Sequence, residues 1–282
     1  MEKKICWANT DDFDESEIVI VGVPDESQSH SLRKGTSEAP HFIREISNIR
    51  DSYTRKGTKS VGLPFSGTFQ KKVFDYGDIQ KEKIEEVYCK IISKSKIPIL
   101  IGGDHSISSE VIKAISKKSD PISLVYFDAH PDFISSTKNY YGSVFQDVLP
   151  HIDIKSSIQI GIRTPEQEEI DNIKKHDLKV ITPFELVEKG VKEIANTILQ
   201  TIGNNVYISF DMDSVDPAFA PGVSVPVPMG LKNVEAVYLL KAIANRGIIG
   251  MDLMEVCPSY DIKDRTSHLA SRIIAEVISS CK

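Results

Sequence analysis

The apolar residues of this chain fall into short runs, most of them alternating with stretches where apolar residues recur every three or four positions. The runs at 17–23 (EIVIVGV), 73–76, 97–101 (IPILI), 122–127, 158–162, 178–181, 206–210 (VYISF) and 248–254 read as buried strands. Helical spacing is found at 38–49, 81–95, 107–117, 165–176, 191–202, 233–246 and 265–279, with Pro40 near the first turn of the first. About eight strands alternating with helices predict an α/β fold whose mainly parallel sheet is covered on both faces. Residues 50–69, polar and Gly-containing, read as a surface excursion. Residues 133–154 read as an irregular segment long enough to shape a pocket. The stretch 216–231 (DPAFAPGVSVPVPMGL) has too many prolines for a central strand. No composition break or internal repeat marks a boundary, so 1–282 is expected to be one domain.

Composition narrows the picture by exclusion. With 40% hydrophobic and 26% charged residues the chain is ordinary for a globular protein, and a formal net charge of -6 disfavours nucleic-acid or membrane-surface partners. No apolar run approaches the roughly 20 residues that span a bilayer, and the first residues lack the apolar core of a secretion signal. Four cysteines, Cys6, Cys89, Cys257 and Cys281, are scattered without a CxxC pair. That argues against a disulfide framework or zinc ribbon and predicts a reducing, cytoplasmic setting.

The ends of four predicted strands carry the candidate chemistry. His105 follows 97–101; Asp128, His130 and Asp132 follow 122–127 (the stretch 125–132 is VYFDAHPD); Asp211 and Asp213 follow 206–210; Glu255 follows 248–254. Ligands of open α/β sheets bind outside the carboxyl ends of the strands, so these groups are expected to meet in one crevice. The two-residue spacing of Asp128, His130 and Asp132 would put all three on one face of an extended backbone. An isolated Asp after a strand is commonly a turn or helix cap, but coincidence does not readily explain several such clusters. Four ionised aspartates in one cleft need cations among them. Two divalent ions would balance the charge, and oxygen-rich ligation with imidazole and no thiolate points towards Mn²⁺. Paired ions can acidify a shared water into hydroxide near neutral pH. Asp11, Asp12 and Asp14 read as a solvated acidic face, and His30, His41, His176 and His268 as surface or structural.

Three of these stretches, Gly102-Gly103-Asp104-His105-Ser106, Asp128-Ala129-His130-Pro131-Asp132 and Ser209-Phe210-Asp211-Met212-Asp213 continuing to Asp216-Pro217, resemble the signatures of the arginase/agmatinase (ureohydrolase) family. Weaker likenesses lie at Gly22-Val23-Pro24, 33–35, 40–44, 75–78 and 252–258 (DLMEVCP). The resemblance implies a three-layer sandwich around an eight-stranded parallel sheet, two Mn²⁺ ions per chain, and hydrolysis of a guanidino group by a hydroxide bridging the ions. It implies His105 and Asp132 on one ion, His130 on the other, and Asp128, Asp211 and Asp213 completing both. Glu255 would hold the cationic substrate and Asp132 would pass a proton to the leaving amine. Members commonly assemble as trimers or hexamers, so a homo-oligomer is implied as well.

Three departures from the family pattern bear on activity and substrate. Tyr141 stands where guanidine-hydrolysing relatives carry a His, and a phenol, with a pKa near 10, is a poorer proton shuttle than imidazole. Tyr141 in a modified role or His151 are the alternatives for that proton. Val223 and Val225 stand where relatives often have threonines. Ile134 occupies the position of an Asn by which arginases read the amino-acid end of their substrate, and it offers no side-chain hydrogen bond. This favours agmatine, cleaved to putrescine and urea in polyamine synthesis, over arginine. Formimidoylglutamate, guanidinobutyrate and a catalytically impaired metal-binding relative remain as alternatives.

Overall fold

Eight of the apolar runs pair into one parallel sheet in the computed structural model of the protein, which describes residues 3–282 except Ser66, Thr68 and Asp120. The strands are β1 (Ile18–Gly22), β4 (Val73–Asp78), β5 (Ile97–Ile101), β6 (Ser123–Phe127), β7 (Ile158–Ile160), β8 (Lys179–Ile181), β9 (Val206–Asp211) and β10 (Gly250–Met254). Their order is β4-β1-β5-β10-β9-β6-β7-β8. A separate antiparallel hairpin joins β2 (Ser52–Arg55) to β3 (Thr58–Val61).

The helices are α1 (Ala39–Ile46), α2 (Ile84–Ser93), α3 (Ile107–Ser116), α4 (Val144–Val148), α5 (Gln167–His176), α6 (Pro183–Lys189), α7 (Val191–Thr201), α8 (Asn233–Arg246) and α9 (Arg265–Ile278). α2, α3 and α4 pack together in sequence, and α1, α9, α8, α7 and α6 form a second contiguous layer. Alternation along the strands explains the sandwich. In β6, Val125 and Phe127 join the cluster containing Ile273 and Leu239 of the second layer, while Leu124 and Tyr126 join the cluster with Val111 and Ile115 of α3. The inner strands β1, β9, β6 and β10 are buried on both faces, and every fully buried Ile or Val side chain contributes roughly 1.5–3 kcal/mol relative to exposure.

Most predicted ends agree with the structure to within two residues; the exceptions are informative. The segment 50–69 contains the β2–β3 hairpin, whose residues are mostly exposed and so lack an apolar alternation to betray them; two of its positions, Ser66 and Thr68, lie outside the described residues. The segment 133–154 is not wholly irregular, since Val144, Phe145 and Val148 bury one face of the short α4. α6 was not predicted, although Thr182 followed by Pro183 is a start signal: the Thr182 hydroxyl accepts from the Glu185 N–H at 3.2 Å.

A buried ion pair anchors the edge of the sheet. Arg44 of α1 donates through Nε and Nη2 to Asp75 of β4 at 2.9 and 3.0 Å, and through Nη1 to Asp78. Gly22 ends β1 beneath this group, where a Cβ would come within 1.8 Å of Asp78 Oδ1. The family-like stretches at Gly22, Arg44 and 75–78 therefore meet in one structural device.

Candidate metal centre

β5, β10, β9 and β6 are consecutive in the sheet, and each delivers its polar residues just beyond its carboxyl end. The loop after β5 can pass close to the 24–31 segment because Gly103 has no side chain: a Cβ there would lie 1.8 Å from the Asp25 carbonyl oxygen. Asp104 N–H donates to that same carbonyl at 3.0 Å. Asp104 in turn accepts from the Gln28 N–H, so the loop from β1 is tied over the site.

Two groups of side chains converge there and share Asp128. His105 Nδ1 lies 3.0 Å from Asp128 Oδ2, 3.1 Å from Asp211 Oδ2 and 3.4 Å from Asp132 Oδ2. His130 Nδ1 lies 3.3 Å from Asp128 Oδ1 and 3.1 Å from Asp213 Oδ2. The trio after β6 meets at one centre and divides between its two groups, but not through the alternation expected of an extended backbone. β6 ends at Phe127, so the trio is not extended; His130 N–H bonds Asp128 Oδ1 at 2.6 Å, and Asp132 takes a left-handed φ of 47°. These turns aim His130 and Asp132 differently.

The donor set fits divalent cations. Asp128 Oδ2, fully buried, accepts no hydrogen bond, which leaves an anionic oxygen pointing into the His105 group without a proton to receive. Burial pushes Asp132 well above the usual carboxylate range, and the charge of Asp128 adds to this. Asp211 is raised by burial and by Asp213 and Asp128. Burial favours a neutral His130 ring, yet Asp213 and Asp128 lift it to about 12. In each case protons are retained to offset crowded carboxylates, a task that bound cations would take over. The groups His105/Asp128/Asp132 and Asp128/His130/Asp213 each bring their ligand atoms within 4.8 Å of one another.

A second set of contacts orients the ligands. His105 Nε2 meets Ser209 Oγ at 2.9 Å, Ser209 donates to Asp252 Oδ1 at 2.8 Å, and Tyr207 donates to Asp252 Oδ2 at 2.8 Å. This arrangement turns Nδ1 towards the carboxylates. Arg163 secures the opposite side, donating to the carbonyls of Asp213 at 2.8 Å and Val227 at 2.6 Å. α5 clamps the loop after Asp132: Glu169 accepts from Phe133 N–H, and Glu168 from Ser135 and Ser136.

Glu255 follows β10 with φ 64°, a backbone conformation costly for a non-glycine residue. Its Oε1 accepts from the His105 N–H at 2.8 Å, and its Oε2 from the Ser224 hydroxyl. Burial raises it to about 7, Ser224 opposing and Asp104 reinforcing the shift. Ser224 comes from the proline-rich 216–231 loop, which meets the end of β10 at a bridge between Val223 and Val256 and where the Cys257 N–H donates to the Gly222 carbonyl at 2.7 Å. Tyr141 is half-buried, its N–H donating to the Gln28 carbonyl at 3.4 Å. Burial lifts its phenol, and the charges of Glu255 and Asp132 add to this. His151 is elsewhere: it bonds Ser116 at the end of α3, and Ile152 bridges Ile122 before β6, roughly 15–20 Å of strand away from Asp128. The histidine beside Tyr141 is the exposed His30, edge-on at 6.0 Å and stacked on Tyr140 at 5.1 Å.

The sequence model of the arginase family matches residues 16–279. The chain belongs to the arginase family. An agmatinase of Neisseria meningitidis is 34% identical over 272 residues, covering 92% of this chain and 85% of that protein. The solved proclavaminate amidino hydrolase of Streptomyces clavuligerus matches with TM-score 0.87 and 28% identity, covering 99% of this chain and 96% of that one. The formimidoylglutamase of Bacillus subtilis matches with TM-score 0.83 and 28% identity, covering 97% and 89%. This arginase-family chain is a hydrolase acting on guanidino compounds, in agreement with the motifs that first suggested it.

Proposed function

We propose that the protein hydrolyses agmatine to putrescine and urea, using two Mn²⁺ ions held by His105, Asp128, His130, Asp132, Asp211 and Asp213. The observation that carries this reading is the sharing of Asp128 between the two histidine groups, with Glu255 beside them. When bound, the ion pair would supply a water acidified enough to act as a nucleophile near neutral pH. The oxygen-rich donor set favours Mn²⁺ over a thiolate-type zinc site.

The chain's own residues supply the rest. Glu255, positioned by the His105 N–H and Ser224, offers the guanidinium charge-assisted hydrogen bonds. Asp132, at the His105 group, is the carboxylate placed to pass a proton to the departing amine. Tyr141, its phenol kept protonated, serves as a hydrogen-bond donor. Ile134, buried with its N–H bonded to the Gly142 carbonyl, gives an apolar wall with no side-chain donor for an amino-acid carboxylate. That supports agmatine over arginine. The four cysteines are all free, which supports a reducing, cytoplasmic setting, and the family likeness supports a trimer or hexamer. Among the described residues no helix is long and apolar enough to cross a membrane.

The test is release of urea from agmatine by Mn²⁺-loaded protein, with arginine and guanidinobutyrate run in parallel. Selective turnover of agmatine is expected. Formimidoylglutamate is the second reading, favoured by Tyr141 and by the likeness to the B. subtilis enzyme. Its product would be formamide. Absence of urea from every guanidine, with two ions verified per chain, would refute the agmatine reading.

A further inference from the structure

Tyr126 is buried in β6 among apolar neighbours, yet its hydroxyl does not end in hydrocarbon. It donates to Asp132 Oδ2 at 2.5 Å and lies 3.2 Å from His105 Nδ1. Its ring stacks on the His105 ring with centroids 4.8 Å apart and planes 3° from parallel, and Phe145 packs edge-on against its other side at 5.7 Å. Three residues, Asp132, His105 and Phe145, therefore hold the phenol at one place, on the His105 side of the pair of groups. Among the described residues no phenol hydrogen-bonds to His130, whose Nδ1 faces Asp128 and Asp213.

We propose that Tyr126 is a positioning residue of the metal centre, which sets the carboxylate of Asp132 and so makes the His105-side ion specifically dependent on its hydroxyl. The argument rests on the two-ion reading above. Asp132 leaves the chain in a left-handed conformation, with its carbonyl accepting from the Phe145 N–H at 2.9 Å. The backbone is thus fixed, while the carboxylate can still rotate about its side-chain bonds. The Tyr126 hydroxyl removes that freedom by engaging the oxygen nearest His105. Partners of this kind change metal affinity by roughly 10–100-fold when removed, because the ligand must be reordered on binding. Asp128 is shared, but Tyr126 makes no hydrogen bond or ring contact with Asp213 or His130, so the second ion should be spared.

The experiment is a titration of metal-free parent and Tyr126→Phe proteins with Mn²⁺, free Mn²⁺ being counted by electron paramagnetic resonance. Phenylalanine preserves the ring and its stacking, and a metal-free melting temperature near that of the parent checks folding. The parent is expected to take up two ions. The variant should bind one ion with parental affinity and the other roughly 10–100-fold more weakly, giving an uncoupled Mn²⁺ spectrum at one equivalent occupied. Unchanged affinity at both sites would overturn the assignment, and so would equal weakening of both or a variant that does not fold, since each makes the hydroxyl merely structural. A parent that binds fewer than two ions would instead refute the two-ion reading itself.

Discussion

Glu255→Gln isolates the charge at the centre of the proposed recognition. The substitution keeps the shape of the side chain and an oxygen able to accept from the His105 N–H, now at 2.8 Å. The Ser224 hydroxyl, which donates to the other oxygen, can rotate to accept from the new amide. What is lost is the negative charge that would meet the guanidinium. A hydrogen bond to a charged partner contributes about 1.5–3 kcal/mol, so loss of one such bond should lower kcat/KM roughly 10- to 150-fold. If Glu255 binds ground state and transition state alike, the loss will fall mainly on KM; if the bond tightens during attack, kcat will fall too. Steady-state urea release from agmatine separates these, with metal content and melting temperature measured on the same samples. A variant carrying its full metal complement whose kcat/KM stays within about threefold of the parent would show that Glu255 does not read the guanidinium.

Two further substitutions test the scaffold. Arg44→Met strips the partner from Asp75, which is nearly inaccessible, and should cost about 3–5 kcal/mol in urea denaturation; a loss below about 1 kcal/mol would contradict the role given to this pair. Glu276, with only 2% of its side chain exposed, receives Lys241 at 2.6 Å, Arg272 at 2.8 Å and the Phe65 N–H at 2.9 Å. Burial would raise its pKa, but these donors hold it below the ordinary carboxylate value. A lowered folded-state pKa gives stability that is present above the unfolded value and is lost as pH falls through the folded one. Glu276→Gln should therefore destabilise by roughly 1.5–3 kcal/mol at pH 7, with the difference from the parent shrinking as the pH drops below about 4.5. A pH-independent difference would point to packing instead of charge.

The sequence by itself determined the sheet and which candidate residues gather at its carboxyl end. Doubly buried strands must be apolar along their whole length, so runs such as IPILI and VYISF were legible without knowing which neighbours they pair with. Side chains placed just after those runs necessarily emerge at one end of a parallel sheet, which is why His105, Asp128, Asp211 and Glu255 could be named together. Exposed or short elements escaped this logic: the exposed β2–β3 hairpin, and the short α4 and α6, whose few turns give periodicity little to work on.

Residue spacing alone did not divide the ligands; the family resemblance implied a division, and only the tertiary structure supplied its geometry. Strand order makes β10 and β9 the bridge between β5 and β6, and left-handed turns at Asp132 and Glu255 set directions that no spacing encodes. It also separated histidines that look alike in sequence, bringing His30 against Tyr141 and leaving His151 beside α3. Tyr126 reads in sequence as one more apolar strand position. Its hydroxyl acquires a role only because β5 and the loop after β6 bring His105 and Asp132 to it, since a hydrogen bond depends on distances that long-range packing alone creates.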